Sequence, residues 1–372
     1  VYLTVLLIAV AVLTRRELIA GPIARILLIG FAVLMMAPLW SGVLVQATLF
    51  RIIFVATLYS GIMMALSNTS REETMSAARL FLLPASGFAL MMLMAFALDP
   101  LAISKVGRLN VFGMNPNRIG QTCAPLLILC SFLALHDRVK AVKIVAYAIG
   151  AFLTVVIVLT GSRGAVGQAA VGCVIIAMPL VRHPGRLAVA AIILGATAYW
   201  LSGMIQASDA TERIGEFNFD SREEPWTLAA ELIAEKPVLG HGWVFSTEGR
   251  SGGSEINLHS IYLQMLANTG VIGLGIFAFA IFICAFKSLA VMVQIQLRWR
   301  HDPDPTIFLA LATVVSSLAW GVIDSGPVMG STVNCLMLGY GAALVDRAQL
   351  FMTQRDWYAR MNANHHASGD MG

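Results

Sequence analysis

The chain is 372 residues long, 58% of them apolar and only 12% charged, with a formal net charge of +4. Soluble domains carry roughly a quarter charged residues, so this composition excludes a soluble globular fold and points to an all-α polytopic membrane protein. Porin-type barrels are excluded too, because the apolar runs reach about 20 residues without alternating.

Eleven spans are predicted in chain order, at 1–14, 22–41, 45–66, 79–98, 119–136, 141–160, 164–181, 187–205, 259–286, 306–323 and 328–346. Arg15-Arg16, Arg71, Arg138-Lys140-Lys143, Arg182-Arg186, Lys287-Arg298-Arg300 and the tail from Arg347 share one side, which the positive-inside rule makes the cytoplasm. The opposite side holds 99–118, Gly161 to Arg163, the 206–258 loop and Asp324 to Pro327. Because Val1 already lies in an apolar run, one earlier helix is expected, for twelve spans with both ends cytoplasmic. The expected organisation is eight spans over 1–205, a periplasmic loop with short amphipathic helices over 206–258, the C-terminal spans over 259–346, and a disordered cytoplasmic tail over 347–372. Cys123, Cys130, Cys173, Cys284 and Cys335 all fall in apolar runs with no CxxC pair, and read as small buried hydrophobes. The net charge of +4, once located along the chain, gives no reason to expect a nucleic-acid partner.

Eight cations lie against the topological bias, on the outer side: Lys105, Arg108, Arg118, Arg163, Arg213, Arg222, Lys236 and Arg250. Arg51 falls inside a span, about 9–10 Å below the outer surface at about 1.5 Å per residue. An Arg in the apolar layer costs about 2.5–3.5 kcal/mol, so Arg51 either snorkels to the interface or serves as a phosphate ligand near the outer leaflet. Arg163 sits in TGSRGAVG, a small-residue turn whose exposed amides can cradle an anion, although such a turn with one Arg also arises by chance.

The 206–258 stretch holds ten of the chain's 21 acidic residues. Within SREEPWTLAAELIAEKPVLGHGW, Ser221 with Glu224 fits a capping box, whereas Pro225 could equally be the first helical residue. Trp226, Ala229, Ala230 and Ile233 recur at helical spacing and form a stripe able to lie on the membrane surface. Pro237 ends that helix, and Gly240-His241-Gly242 makes a flexible turn. Arg222 is either an anion ligand at this helix's start or a solvated partner of Glu223 or Glu224. Asn257 is placed as the N-cap of the ninth span, which puts His259 in that helix's first turn. There the positive end of the dipole favours a neutral imidazole, suited to general-base work, although a lone His at such a place is commonly an interface residue. No HExxH, no His pair at i, i+4 and no GxSxG occurs, so zinc-protease and serine-hydrolase chemistry lack their signatures.

Four segments in order resemble the O-antigen ligase and polymerase family of bacterial membrane proteins: FGMNPNRIGQ around Asn115 to Gln121, TGSRGA around Arg163, SREEPWTLAAELIAEKPVLGHG from Ser221, and HSIYLQMLANTGVIGLG from His259. Ten residues separate His259 from Gly270, the spacing that family shows. The resemblance implies a GT-C-like, inverting glycosyltransferase of the bacterial inner membrane with its active site facing the periplasm. It would move a glycan from undecaprenyl diphosphate to an acceptor hydroxyl, on lipid A-core for a ligase or another lipid-linked glycan for a polymerase. It further implies His259 as base and Arg222 and Arg163 as diphosphate-binding arginines; Arg222 is expected to be catalytic as well, and Arg51 and Arg118 are expected, from their place near the outer surface, as further diphosphate ligands. Arg213, Asn117, Asn257, His241 and Gly270 are supporting positions, with no metal and no cofactor beyond the lipid-linked donor. The alternatives are a polymerase of the same family and a non-enzymatic lipid-glycan transporter; besides donor and acceptor, only membrane lipids are expected as partners.

Overall fold

The computed structural model describes residues 71–98, 114–179, 220–241, 260–298, 305–321 and 337–345, with positions 109, 111 and 258. The predicted spans at 1–14, 22–41, 45–66 and 187–205 lie outside these residues. Among the described residues the regular structure is helical throughout, with no strand.

Helix α1 (Arg71–Leu80) starts with Glu72 and Glu73 in its first turn and has Arg79 in its last, charges that complement the helix dipole. Helix α2 (Leu82–Leu98) follows after one residue. The interruption has a chemical cause: Pro84 brings no N–H to the ladder and its ring crowds the carbonyl four residues back. Phe81 N–H instead closes a tighter turn on the Ala78 carbonyl at 3.2 Å. The span expected at 79–98 is therefore the second part of a longer apolar segment, Glu72–Leu98.

Helix α3 (Pro116–His136) is capped by the Asn115 side chain, which accepts from Asn117 N–H at 2.9 Å, with Pro116 at the position where a missing N–H costs nothing. Three residues lead to α4 (Lys140–Thr160), which ends at Gly161 in the left-handed conformation (φ 58°, ψ 25°). Ser162 then caps α5 (Arg163–Ala177), accepting from Ala165 N–H at 3.4 Å. Pro179 stops α5 short of the expected 181. After it come α6 (Asp220–Glu235), α7 (Ile261–Arg298), α8 (Pro305–Gly321) and a helical segment over 337–345, α9. Among the described residues, Glu72–Leu98, Pro116–His136 and Lys140–Thr160 are long and apolar enough to cross a membrane; α5 and much of α8 are apolar but shorter.

Helix α3 packs along α4 and α5, and α8 packs along α5 and more lightly against α7 and α3. Every residue of α8 from Pro305 to Val314 is buried, as is all of α9. A helix apolar all round belongs in the middle of a bundle. The main core joins α8 and α9 to Phe81, Phe132, Leu133 and Ile176, and a second core joins α2, α3, α4 and the start of α5. Outward, Leu83, Leu90, Leu93 and Leu98 of α2, Ile144 of α4, and Phe279, Phe282 and Phe286 of α7 are exposed. In a membrane protein these faces meet lipid.

One end of the bundle is fastened electrostatically. The Arg79 guanidinium donates to both Asp137 oxygens, at 2.7 and 2.9 Å, and Val139 N–H donates to the same carboxylate at 2.7 Å. Burial would raise the Asp137 pKa, but the Arg79 hydrogen bonds and the backbone N–H groups of Val139 and Arg138 outweigh it and hold the carboxyl below its ordinary value. The resulting stabilisation is present above the unfolded-state pKa of about 3.9 and is lost as pH falls through the lower folded value. Asp137→Asn should cost about 1.5–3 kcal/mol at neutral pH, the range for hydrogen bonds to charged groups. Thermal unfolding of the purified protein should show this penalty shrinking below about pH 4, where the wild-type carboxyl also protonates.

Candidate functional site

At the bundle end opposite Asp137 the starts of α3 and α5 abut. A Cβ added at Gly120 would lie 2.9 Å from Ala165 Cβ and 3.0 Å from both Ser162 Cβ and Thr160 Oγ1. Glycine is what allows this approach. The turn between α4 and α5 is buried and closed on itself: Thr160 Oγ1 donates to Ile157 O at 2.6 Å and accepts from Ser162 N–H at 3.3 Å. Leu109 N–H donates to Leu159 O at 2.9 Å, tying the segment before α3 to the same place. Two helix N-termini thus stand side by side, with Arg118 and Asn117 in the first turn of α3 and Arg163 as the first residue of α5. Arg118 is exposed and Arg163 half-buried. Amide donors, two positive dipole ends and two guanidinium groups at one bundle end suit an anion.

Buried polar groups underlie this end. Gln121, Thr160, Ser162, Gln168 and Ser317 are all nearly inaccessible, and Gln168 Nε2 donates to Ser317 Oγ at 3.4 Å, joining α5 to α8. Sequence reasoning passed over Gly120, Gln168 and Ser317. A glutamine within an apolar span was the available signal, since polar side chains there usually face the bundle.

The second part of the candidate site is the junction of α6 and α7. Ser221 and Pro225 both lie inside α6, so the predicted capping box at Ser221 does not form and Pro225 is not the first helical residue. The expected membrane-facing stripe is also revised. Ala229 is fully buried and Leu232 nearly so, packed on Leu258 and Ala267, with Leu228 and Ile233 alongside. Trp226 is half-buried and Ala230 exposed. The apolar side of α6 therefore faces the start of α7 rather than lipid. Arg222 is the third residue of α6; its side chain lies outside the described set.

His241 is buried, not part of a flexible turn. Its Nε2 lies 2.8 Å from Leu232 O, and because a carbonyl only accepts, this nitrogen carries the proton. Its backbone N–H donates to Ala267 O at 2.9 Å. The residue bolts the end of α6 to α7.

Helix α7 is not the continuous span predicted from 259 to 286. It runs to Arg298 and breaks at Gly270 (φ 65°, ψ −169°), a conformation essentially restricted to glycine. The Pro237–Gly240 turn fills the break: Val271 N–H donates to Pro237 O at 2.9 Å and Ile272 N–H to Val238 O at 3.5 Å. Gly240 also has positive φ (69°), and a Cβ there would strike the backbone of Asn268 and Thr269, just as one at Gly270 would strike Val238. Each glycine makes room for the other strand of backbone.

The helix itself starts at Ile261, and Ser260 caps it, accepting from Leu263 N–H at 3.5 Å. The cap is thus not Asn257, and His259 precedes the helix rather than occupying its first turn. Its neighbours are held: Leu258 and Ser260 are buried, and Leu258 N–H donates to Gln264 Oε1 at 3.2 Å. His259, Asn257, Arg51 and Arg213 lie outside the described residues. The structure thus puts Asn117 and Arg118 at the same bundle end as Arg163, and packs α6 on the start of α7 at another place. Helix α8, packed on both α5 and α7, is shared between them.

Alanine at Gly270 should destabilise the α6–α7 junction by about 1–3 kcal/mol from backbone strain alone, with the collision at Val238 adding to it. Limited proteolysis should cut the 236–242 turn faster in Gly270→Ala while the α3–α5 region stays resistant. Gly275→Ala, where an added Cβ meets nothing within 4 Å, should leave the pattern unchanged.

No curated protein matches the chain. The model of the O-antigen ligase family does match, over residues 148–278. That stretch holds Arg163, Arg213, Arg222, His241, Asn257, His259 and Gly270, whereas Arg51, Asn117 and Arg118 fall outside it. Running from within α4 through the Gly270 break, this segment, about a third of the chain, is similar to the O-antigen ligase family.

Proposed function

We propose that the protein is an O-antigen ligase-like glycosyltransferase of the bacterial inner membrane, moving a glycan from undecaprenyl diphosphate to an acceptor hydroxyl at the periplasmic face. The observation that carries this reading is the family match over 148–278, which contains the Arg163 turn, the Arg222 helix and the segment around His259. The pairing of α3 and α5 at Gly120 supports it, because it brings Arg118 to the same bundle end as Arg163.

In the proposed reaction the acceptor oxygen attacks the anomeric carbon while the bond from that carbon to the diphosphate oxygen breaks, with inversion. The acceptor's proton passes to His259 and the electron pair of the broken bond leaves with the diphosphate. That leaving group carries two to three negative charges. Arg163, Arg222 and Arg118, with Arg51 from the span expected at 45–66, would hold it, aided by the N-terminal amides of α3 and α5. Guanidinium groups fixed in a site of low dielectric can supply the charge stabilisation that a divalent ion gives other transferases. Lipid A-core is the proposed acceptor.

The decisive measurement is transfer from purified lipid-linked glycan by the full chain in proteoliposomes. His259→Ala should lose about 100- to 10,000-fold in rate, and Arg163→Ala or Arg222→Ala about 100- to 1000-fold each. Lysine at Arg222 should recover only part of the loss, since an ammonium lacks the two-pronged geometry. Full transfer by correctly inserted His259→Ala and Arg222→Ala proteins overturns the mechanism. Chelator should leave the rate unchanged. In cells, deletion should strand full-length polymer on its lipid carrier; single repeats attached to the acceptor would instead identify a polymerase.

A further inference from the structure

The Pro237–Gly240 turn presents apolar side chains that its neighbours do not cover. Val238 is 56% exposed and Leu239 48%, and the two residues of α7 hydrogen-bonded beside them, Val271 and Ile272, are 60% and 51% exposed. Val271 and Ile272 share, by helical spacing, the exposed side of α7 that continues through Phe279, Phe282, Phe286 and Leu289, and the backbone bonds from Pro237 and Val238 hold the turn beside its start. On the other side of the break the pattern stops: from Tyr262 to Gly270 no residue is exposed.

Length and charge decide where the hydrocarbon lies along α7. Lys287 is the one charged residue between Ile261 and Leu297. A hydrocarbon core about 30 Å thick takes about 20 helical residues at about 1.5 Å each. Were it to start at Ile261, it would end near residue 281 and leave Phe282, Phe286 and Leu289 exposed to water. Starting at Val271, it ends near residue 291, and Lys287 lies about 24 Å along, within snorkelling reach of the far boundary. Only the second placement puts the exposed phenylalanines in lipid.

We propose that the Gly270 break marks the edge of the hydrocarbon and that the Pro237–Gly240 turn is a membrane anchor, with Val238 and Leu239 inserted among the acyl chains beside Val271 and Ile272. The occupant is bilayer lipid, because the patch prolongs a lipid-facing helix side. The anchor fixes the depth of α6 and of the Leu258–Ser260 segment, which stand outside the hydrocarbon. The backbone of the turn tolerates this position because its carbonyls at 237 and 238 are bonded to α7. The inference concerns membrane placement and stands independently of the reaction.

The test is photo-crosslinking with benzoylphenylalanine at position 239, and at exposed Ala230 of α6 as control, in proteoliposomes of purified full-length protein and phosphatidylcholine. Position 239 should give protein–phospholipid adducts, several-fold more than position 230. Chain-to-chain adducts at 239 would instead make the patch an interface between two copies, and equal lipid labelling at 230 and 239 would remove the anchor; either result overturns the proposal. Hydroxyl-radical footprinting of the unmodified protein in the same bilayers needs no variant. Residues 238, 239, 271 and 272 should label several-fold less than their exposure in the fold demands, and labelling in proportion to that exposure overturns the proposal.

Discussion

A helix in a membrane can break only where other backbone takes over its hydrogen bonds, since an unpaired amide in hydrocarbon costs several kcal/mol. At Gly270 both sides of the break are served by one turn. The carbonyls of Pro237 and Val238 accept from Val271 and Ile272, the orphan donors at the start of the second half-helix. His241 N–H donates to Ala267, a carbonyl of the closing turn of the first half. The turn and the break are therefore a single structure made of two segments about 30 residues apart in sequence. Glycine is required on both sides because backbone meets backbone there with no room for a Cβ.

The rest of the bundle is arranged to leave its two ends chemically distinct. One end carries Asp137 and Arg79 in a two-pronged pair, with Arg138, Lys140 and Lys143 close by in sequence. The other carries the paired starts of α3 and α5, where small residues bring two helix N-termini together. Between them α8 is buried on every side along its first ten residues, so contacts made by α5 and by α7 both report on its position. Gln168 and Ser317 add a polar pin between α5 and α8.

What the sequence made legible follows from how local each signal is. The bounds of α3, α4 and α5 were readable to within a few residues because each is a run of apolar residues closed by turn residues, and the Gly161 turn was visible in TGSRG. Helix α1 was missed because Arg71, Glu72 and Glu73 read as a polar connection, although those charges suit a first turn. The Gly270 break was hidden because a lone glycine in an apolar run is common in membrane helices and its unusual dihedrals are imposed by a distant partner. The stripe on α6 was read correctly as apolar at Ala229, but not its direction: spacing shows that a face is apolar without showing whether lipid or protein covers it. Gly240-His241-Gly242 reads as a flexible turn because nothing in the sequence shows that Leu232 O and Ala267 O await His241.

These two kinds of junction hold their helices with different strength, and that difference bears on how a reaction would be staged. The α3–α4–α5 unit is secured by long helix packing, a capped turn and a close glycine contact, so Arg118 and Arg163 sit on a frame with little freedom. Helix α6 is held by a small apolar cluster of Ala229, Leu232, Leu258 and Ala267, the His241 hydrogen bonds and the carbonyls at the Gly270 break. Each such hydrogen bond contributes about 0.5–1.5 kcal/mol, so this attachment can be remodelled at a cost the spans could not bear. In the proposed transfer Arg118 and Arg163 would meet the diphosphate from this rigid frame, whereas Arg222 would reach it from the more lightly held α6.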